Sequence, residues 1–262
     1  MVKNGKNGVN SVKNGVNSGF WHYFLLQYIN MPRPLRIILP DLPFHVLNRG
    51  NNRQRVFLDE ADFLYYLGLL KRFKEELDIK LYHFCLMPNH THFIIEPTIE
   101  GSLSKFMLKI TLAYTRYFNK KYKGVGHVWQ GRYKASLLDG DDYFIQCGLY
   151  NELNPVRAGL VKNPEDWQFS SFRYYGLGER DSMISNLIDA DPFYFGTGDN
   201  IKEQSVKYFK NIQLVMEEDF LNNLRRELDQ GIFGKDSFIK DVKDKFKIGS
   251  LRPSGRPRKN QS

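Results

Sequence analysis

The segment "KLYHFCLMPNHTHFIIE", residues 80–96, restricts the fold of this chain more than any other feature. Two runs of mostly apolar and aromatic residues are separated by Pro88 and Asn89, a pair that favours a turn. Runs of about eight residues with this composition are typical of buried strands. The sequence therefore predicts two consecutive strands, at 80–87 and 90–96, joined by a tight turn.

Helices and further strands flank this pair. Residues 59–77 carry apolar side chains at helical spacing, and Asp59 is placed to cap the first turn. The other predicted elements are strands at 44–50 and 134–139, a helix to about residue 121 that Ser102 or Ser104 could cap, and a helix to about Leu153 that Asp141 caps. The order βαββαβ predicts an α+β fold of the ferredoxin-like, split βαβ kind, which is an antiparallel sheet with helices on one face.

The N-terminal residues differ in composition from the rest of the chain. Residues 1–18 repeat "NGVNS" and contain too few apolar side chains to offset the entropy lost on ordering, so residues 1–30 are expected to be an extension. A secretory signal peptide is the alternative, because basic residues precede an apolar stretch at 20–29. A third possibility is that translation naturally begins at Met31.

The C-terminal third is more charged than the middle. Residues 181–250 are mostly helical in pattern and predict a smaller second region. Residues 251–262 contain four basic groups, two prolines and no acid, and are expected to form a mobile basic tail.

The overall charge favours a polyanionic partner without requiring one. Thirty-eight basic and 29 acidic residues give a net charge of +9 over 262 residues. No apolar run approaches the roughly 20 residues that a membrane span needs, so no membrane partner is expected. Cys85 and Cys147 lie in apolar segments and are expected to be buried thiols of a reduced, cytoplasmic protein.

Two of the six histidines, His90 and His92, stand one residue apart in the second predicted strand. Alternate side chains of a strand project from the same face, so both imidazoles point one way and Thr91 points the other. Two imidazoles at this spacing can bind one divalent ion. The alternative is a pair of ordinary core histidines, because the pattern is short.

A tyrosine and an asparagine near the end of the last predicted helix form a second candidate group. In "LYNELNP" Tyr150 and Asn154 are four residues apart, which places them one turn apart on the same side of a helix. Pro155 disfavours a helical conformation at Asn154 and puts this amide at the helix end. A phenol beside an amide oxygen suits a nucleophile beside a metal ligand. The alternative is a core aromatic followed by a C-terminal cap.

Together these motifs resemble the single-tyrosine HUH transposases, and most closely their branch of REP-associated tyrosine transposases, which is linked to repetitive extragenic palindromes. The similarity rests on the histidine pair, on Tyr150 58 residues after His92, and on "MPRPLRI", "HVLNRGN", "HVWQGRYKASLL", "NPVRAGLV" and "WQFSSF". It extends from Met31 to about Tyr175 and implies a catalytic domain over residues 31–180. The middle position of the pair is usually hydrophobic, and we expect Thr91 to affect packing rather than coordination.

The resemblance implies a mechanism. A divalent ion, Mg²⁺ or Mn²⁺, would be held by His90, His92 and the side-chain oxygen of Asn154, and Tyr150 would attack the scissile phosphate to form a 5′-phosphotyrosine. The substrate would be single-stranded or hairpin DNA at palindromic repeats, which a transposase cleaves and rejoins. Such a protein would act in the cytoplasm, associated with the nucleoid, as a monomer or homodimer.

Basic and aromatic residues near these motifs are candidates for DNA contacts, because cations neutralise phosphates and aromatic rings stack on unpaired bases. They are Arg49, Arg53, Arg55, Trp129, Arg132, Lys134, Arg157, Arg256 and Arg258. The last two belong to "SGRPRK", which has the Gly-Arg-Pro core of an AT-hook-like segment. For each arginine the alternative is a solvated surface charge.

Two other functions remain open from the sequence. A domesticated nucleic-acid-binding module would keep the fold but lose the chemistry, and here His90, His92, Tyr150 and Asn154 are all present. A metallohydrolase built on the histidine pair would need more acidic or histidine ligands than this segment supplies, and would leave Tyr150 without a role.

Overall fold

A five-stranded mixed sheet forms the centre of the protein. The structure, a computed structural model, describes residues 38–246 except residues 141, 181 and 196. The strands are β1 (Phe44–Arg49), β2 (Ile79–Met87), β3 (His90–Pro97), β4 (Lys134–Leu138) and β5 (Ile232–Phe233), in the order β2-β3-β1-β4-β5. The first four strands pair antiparallel, as the ferredoxin-like arrangement requires. The sequence analysis predicted these four and missed β5, which runs parallel to β4.

Helices cover both faces of the sheet. They are α1 (Glu60–Glu76), α2 (Ser102–Tyr122), α3 (Asp142–Glu152), α4 (Asn154–Arg157), α5 (Phe172–Gly176), α6 (Pro192–Phe195), α7 (Ile201–Met216), α8 (Glu218–Gln230) and α9 (Asp236–Phe246). Helices α1 and α2 pack together on one face, where Tyr66 stacks against Phe93 of β3. Helix α3 lies on the other face, because Tyr150 contacts His92, whose side chain alternates with that of Phe93. The two helices of the split βαβ motif therefore share a face as predicted, and α3 covers the opposite one.

The first two helices begin in different ways. Asp59 caps α1, since its Oδ1 accepts from the backbone N–H of Asp62 at 3.1 Å and the Asp62 carboxylate accepts from the N–H of Asp59 in return. Helix α2 begins at Ser102, but its N-cap is Gly101, with φ at 76°, and no side chain caps it. The predicted serine cap is therefore wrong, whether assigned to Ser102 or Ser104.

The helix that carries Tyr150 is followed at once by a second, short helix. Helix α3 ends at Glu152, and its predicted cap, Asp141, lies outside the described residues. Pro155 lies in the first turn of α4, where its missing N–H has no intrahelical partner to lose. Asn154 consequently begins α4 rather than ending α3.

The C-terminal helices belong to the same compact unit as the sheet. The described residues from 38 to 246 form one compact unit. Buried side chains from α7 and α8, including Tyr208, Leu224 and Leu228, continue the core that lies under α3. The region predicted at 181–250 is helical in its described part, as expected, but β5 joins it to the sheet.

Two further expectations concern the cysteines and the membrane. Cys85 and Cys147 are both buried and free, as predicted. Within the described part of the chain, none of the helices combines the length and apolar character that crossing a bilayer requires.

Candidate active site

Strand β3 places His90 and His92 on one face of the sheet and Thr91 on the other. The two imidazole rings are 4.9 Å apart between centroids, at an interplanar angle of 73°. The pairing register sets His90 opposite Arg49 of β1 and opposite Met87 of β2, so that the pair lies at the turn end of the β2–β3 hairpin. Thr91 is fully buried on the opposite face, which agrees with a packing role.

The chain after β1 packs closely against the turn that precedes His90. The backbone N–H of Gly50 donates to the carbonyl of Asn89 at 2.8 Å. A Cβ on Gly50 would lie 2.4 Å from the carbonyl oxygen of Gln54, so this approach requires glycine. The Oδ1 of Asn89 in turn accepts from Nδ1 of His90 at 2.6 Å, which leaves the lone pair of His90 on Nε2.

A third histidine, His45 of β1, joins the pair. Its Nε2 is 3.0 Å from Nδ1 of His92, so that one nitrogen donates to the other. Leu47 is the residue directly opposite His92, and His45 therefore lies diagonally across the β1–β3 ladder. Burial lowers the pKa of His45, and the nearby side chain of Asn151 from α3 offsets part of this effect. Neither polar atom of the Asn151 amide has a hydrogen-bond partner among the described residues. The sequence analysis missed His45, because one histidine in a strand forms no motif.

Burial keeps the three imidazoles neutral. It lowers the pKa of His45 to about 4 and that of His90 to about 4, and the Arg49 cation also lowers the pKa of His90. Burial lowers the pKa of His92 well below its usual value, with the neighbouring histidines acting in the same direction. At neutral pH each ring therefore offers a nitrogen lone pair, as a metal ligand or hydrogen-bond acceptor requires.

Tyr150 lies on the last turns of α3, against the histidines. Its ring centroid is 6.0 Å from that of His92 and 6.3 Å from that of His45, and the residue is 8% exposed. The guanidinium carbon of Arg157 lies 4.3 Å from the centroid of the Tyr150 ring. A cation at this distance in a partly desolvated site contributes about 1–2 kcal/mol. Burial lowers the pKa of Arg157 to about 10, so the side chain remains cationic at neutral pH.

Local hydrogen bonds occupy the side chain of Asn154. Its Nδ2 donates to the backbone oxygens of Tyr150 and Asn151, at 3.1 Å each, and its Oδ1 accepts from Nη2 of Arg157 at 2.9 Å. An amide oxygen has two lone pairs, so this oxygen keeps one for a further ligand. The Nε and Nη1 nitrogens of Arg157 are buried and have no hydrogen-bond partner among the described residues.

The residues fit a divalent ion in part. His90 and His92 are neutral, adjacent and on one face, as two imidazole ligands need to be. Over the described ranges there is no cluster of three or more His, Cys, Asp or Glu side chains that could hold a metal. Coordination would therefore have to be completed by oxygen ligands, from Asn154, water or a substrate phosphate.

His45, His92 and Tyr150 face a cleft of about 530 Å³. Its lining includes His45, His92, Tyr150, Arg49, Arg132 and Lys134. A phenol and neutral imidazoles thus lie among cationic side chains, which is an arrangement suited to a phosphodiester. A larger surface cleft of about 860 Å³, beside α5 and α7, is lined by a glycine, aliphatic side chains, Phe209, two lysines and a serine, and by no histidine or tyrosine.

The residues predicted to contact DNA lie in different places. Arg49, Arg132 and Lys134 line the cleft. Arg53 and Arg55 are exposed in the loop after β1. Arg157 lies over the Tyr150 ring rather than at the surface, and Arg256 and Arg258 are outside the described residues.

Trp129 does not offer a free ring face for base stacking. It is 7% exposed, and its ring lies 6.0 Å from that of Tyr66 and 5.8 Å from that of Tyr114. The prediction that Trp129 stacks on an unpaired base is therefore wrong, because this side chain is part of the core between the sheet and α1 and α2.

Fold and site together define an α+β protein in which His92, the second histidine of the pair, shares a basic cleft with a helical tyrosine. Residues 39–150 match the family model described as "Transposase IS200 like". This stretch, less than half of the chain, runs from before β1 through Tyr150 and ends before Asn154 and Arg157. These residues are therefore similar to the IS200-like transposase family, the single-tyrosine group that the motifs of this chain resemble.

Individual proteins are similar to this chain over fewer residues or at low sequence identity. A protein of Haemophilus influenzae described as a REP-associated tyrosine transposase is 29% identical over 99 residues, which is 34% of this chain and 56% of that relative. A solved REP-associated tyrosine transposase bound to a REP hairpin covers 65% of this chain and 98% of its own, at 20% identity and a TM-score of 0.47. A solved structure of a Deinococcus radiodurans protein described as a transposase covers 52% of this chain and 97% of its own, at 18% identity and a TM-score of 0.32.

Proposed function

We propose that this protein is a metal-dependent DNA transposase that cleaves and rejoins single-stranded DNA at palindromic hairpin repeats through a 5′-phosphotyrosine on Tyr150. The observation that carries the proposal is the convergence of Tyr150 and His92 on one basic cleft, with ring centroids 6.0 Å apart. The family match over residues 39–150 supports the reaction class.

Tyr150 is the candidate nucleophile. Its phenolic oxygen would form a bond to phosphorus as the 3′ oxygen of the neighbouring nucleotide leaves, so that the energy of the phosphodiester is kept for rejoining. A phenol also leaves more readily than a sugar hydroxyl, because its ordinary pKa is about 10. The Arg157 cation over the ring adds a positive charge beside the position that the scissile phosphate would occupy.

His90, His92 and Asn154 would hold a divalent ion, Mg²⁺ or Mn²⁺. Such an ion, when bound, polarises the scissile phosphate and offsets the negative charge of the transition state. The two neutral imidazoles support this role. One lone pair of the Asn154 side-chain oxygen accepts a hydrogen bond from Arg157, and the second lone pair remains for a metal ligand bond.

Arg157 would serve the site in a second way. Two of its nitrogens are buried without a hydrogen-bond partner in the described part of the chain, and an unpaired buried donor costs about 1–3 kcal/mol. A phosphate oxygen beside Tyr150 would relieve this cost and give the guanidinium the anionic partner that its geometry suits.

The basic residues of the cleft would hold the DNA strand. Arg49, Arg132 and Lys134 line it, and Arg53 and Arg55 are exposed in the loop after β1. A single-stranded substrate, extruded as a hairpin, would reach a tyrosine at the floor of a cleft more easily than a paired duplex. We propose action in the cytoplasm on nucleoid DNA, by a monomer or homodimer.

The test is formation of a covalent adduct. The protein is incubated with Mg²⁺ and labelled single-stranded hairpins taken from the flanks of its own gene, and the adduct is mapped by peptide mass spectrometry. We expect a nucleotide on the peptide that contains Tyr150, and none with Tyr150→Phe, which keeps the ring. Tyr143→Phe, on the same helix, is the matched control and should retain the adduct.

Two outcomes would contradict the proposal. An adduct on another tyrosine, or an adduct that persists in Tyr150→Phe, would reject the assignment of the nucleophile. Hairpin binding by the parent protein without any adduct, in the presence of metal, would favour a nucleic-acid-binding module that has lost the chemistry.

A further inference from the structure

The C-terminal region contributes a wall to the active-site cleft. Helix α8 ends at Gln230, and Gly231, with φ at 90°, turns the chain directly into β5. Strand β5 then pairs parallel with β4, where Leu137 lies opposite Ile232 and donates to the carbonyl of Gly231 at 2.9 Å. The end of α8 is therefore fixed beside the strand that carries Lys134 into the cleft.

Side-chain contacts hold the last turns of α8 against β4. The buried hydroxyl of Ser136 donates to the carbonyl of Leu228 at 2.6 Å. Lys134 forms an ion pair with Asp229 at 2.7 Å, with both side chains more than half exposed. An exposed pair of this kind contributes at most about 1 kcal/mol, so the buried hydroxyl and the strand pairing position the helix while the ion pair can exchange with a ligand.

One face of α8 lines the cleft. Arg225, Leu228 and Asp229 all line it, and their spacing of three and four residues is that of a single helical face. Arg225 is exposed, and its charge acts on Arg157, whose pKa it helps to lower. A second arginine is thus held within electrostatic reach of the cation that lies over Tyr150.

The charges that line this cleft are unbalanced. Four cations, Arg49, Arg132, Lys134 and Arg225, face one acid, Asp229, which is already paired with Lys134. Like charges collected around a concave surface raise the local concentration of an anion and repel one another in its absence. Arg225 approaches from the helix side and the other three cations from the sheet side, so a strand laid over Tyr150 would have a cation on each flank.

We infer that Arg225 is a DNA-binding residue that contacts a phosphate of single-stranded DNA beside the phosphodiester facing Tyr150. This inference rests on the proposed function and extends it to a region beyond the matched family domain. Residues 181–246 would then complete the substrate cleft rather than form a separate appendage.

Arg226 offers a matched control. It is the next residue on the same helix, it is equally exposed, and it bonds only to Asn223 at 3.2 Å in the described structure, without lining the cleft. Arg225→Gln and Arg226→Gln remove the same charge from the same helix, so non-specific loss of positive charge affects both alike. Equal thermal unfolding midpoints of the two variants and the parent would show that the fold is unchanged.

The experiment measures the affinity of the full chain for fluorescein-labelled oligo(dT) of roughly 16 nucleotides, the upper site size of many single-strand binders, by anisotropy over a range of salt concentrations. We expect Arg225→Gln to weaken binding several-fold at low salt. It should also reduce the slope of log affinity against log salt by about 0.7, the value for one phosphate contact on single-stranded DNA. Arg226→Gln should retain the parent's affinity and slope.

The outcomes separate this inference from the function on which it rests. If the parent binds but Arg225→Gln and Arg226→Gln both behave like the parent, or lose affinity equally, the inference is overturned and the proposed function stands. If the parent itself binds no single-stranded DNA at low salt, both are overturned.

Discussion

A buried charged network ties the tyrosine helix to the rest of the protein and makes its stability depend on pH. His83 of β2 is fully buried, with Nδ1 3.0 Å from Glu152 and Nε2 3.1 Å from Asp191. Glu152 is the last residue of α3, and it also accepts from the hydroxyl of Tyr208 at 2.7 Å. A Cβ on Gly148 would lie 2.7 Å from the imidazole, so this glycine is what lets α3 approach His83.

The charge state of His83 determines the magnitude of the effect. Burial alone lowers its pKa, but the hydrogen bonds that the imidazole donates to Asp191 and Glu152 outweigh burial and raise the pKa to about 9, from an ordinary value of 6.5. Because the folded-state pKa is the higher one, the stabilisation is fully present below pH 6.5 and is lost as the pH rises through about 9. This difference in pKa corresponds to a change of about 3 kcal/mol in the free energy of unfolding.

The assay is urea unfolding followed by tryptophan fluorescence, from about pH 6 to about pH 10. We expect the parent to lose on the order of 3 kcal/mol over this range. In His83→Gln two buried carboxylates lose their cation, which should lower the free energy of unfolding by about 3–5 kcal/mol near pH 6. The variant should also lose most of the dependence of this free energy on pH above that value. His127→Gln, at an exposed position, should behave like the parent. A parent whose stability is constant over this range, or a His83→Gln variant that keeps the parent's slope, would refute the reasoning.

The remaining predictions concern the site and the DNA. His90→Ala or His92→Ala should abolish cleavage while hairpin affinity stays within about two-fold of the parent's, because phosphate contacts elsewhere supply most of the affinity. Cleavage by either variant at the parent's rate in the same Mg²⁺ buffer would argue against the metal assignment. His45→Gln should lower the cleavage rate with little change in affinity, since its ring holds Nδ1 of His92 at 3.0 Å, and an unchanged rate would show that this contact is not needed. Hairpins should bind more tightly than the matching linear duplex, with affinity falling steeply as salt rises, and a salt-independent affinity would count against the basic cleft. Removal of residues 251–262 should weaken binding without preventing cleavage at saturating protein, so a truncated chain unable to cleave would reveal another role for the tail.

The regular elements follow from local patterns in the sequence. The apolar runs on either side of Pro88 and Asn89 are strands β2 and β3, and Asp59 caps α1 as predicted. These features depend on interactions between residues close in the chain, so a short stretch of sequence is enough to predict the strands and the start of the helix. The split βαβ order then limits how the sheet can be arranged.

Contacts between distant segments account for what the sequence analysis missed. Strand β5 has two residues, too few for any periodic pattern, and exists because β4 has a free edge beside the end of α8. The predicted stacking role of Trp129 was wrong because Tyr66 and Tyr114, more than 14 residues away along the chain, bury its ring. A tryptophan next to arginines has the same local sequence whether its ring is buried or free.

The candidate site shows the same division. The sequence by itself determined that His90 and His92 share a face, because strand periodicity is local. It placed Tyr150 on a helix correctly, but Asn154 begins the next helix rather than ending that one. Only the tertiary structure decided which histidine bonds to His92, and which arginine stands across the cleft from the sheet. His45 reaches the pair through the register of β1 on β3, and Arg225 reaches the cleft through the docking of α8 on β4. Both depend on how separate segments pair and pack, which is set by the whole core rather than by the residues on either side of them.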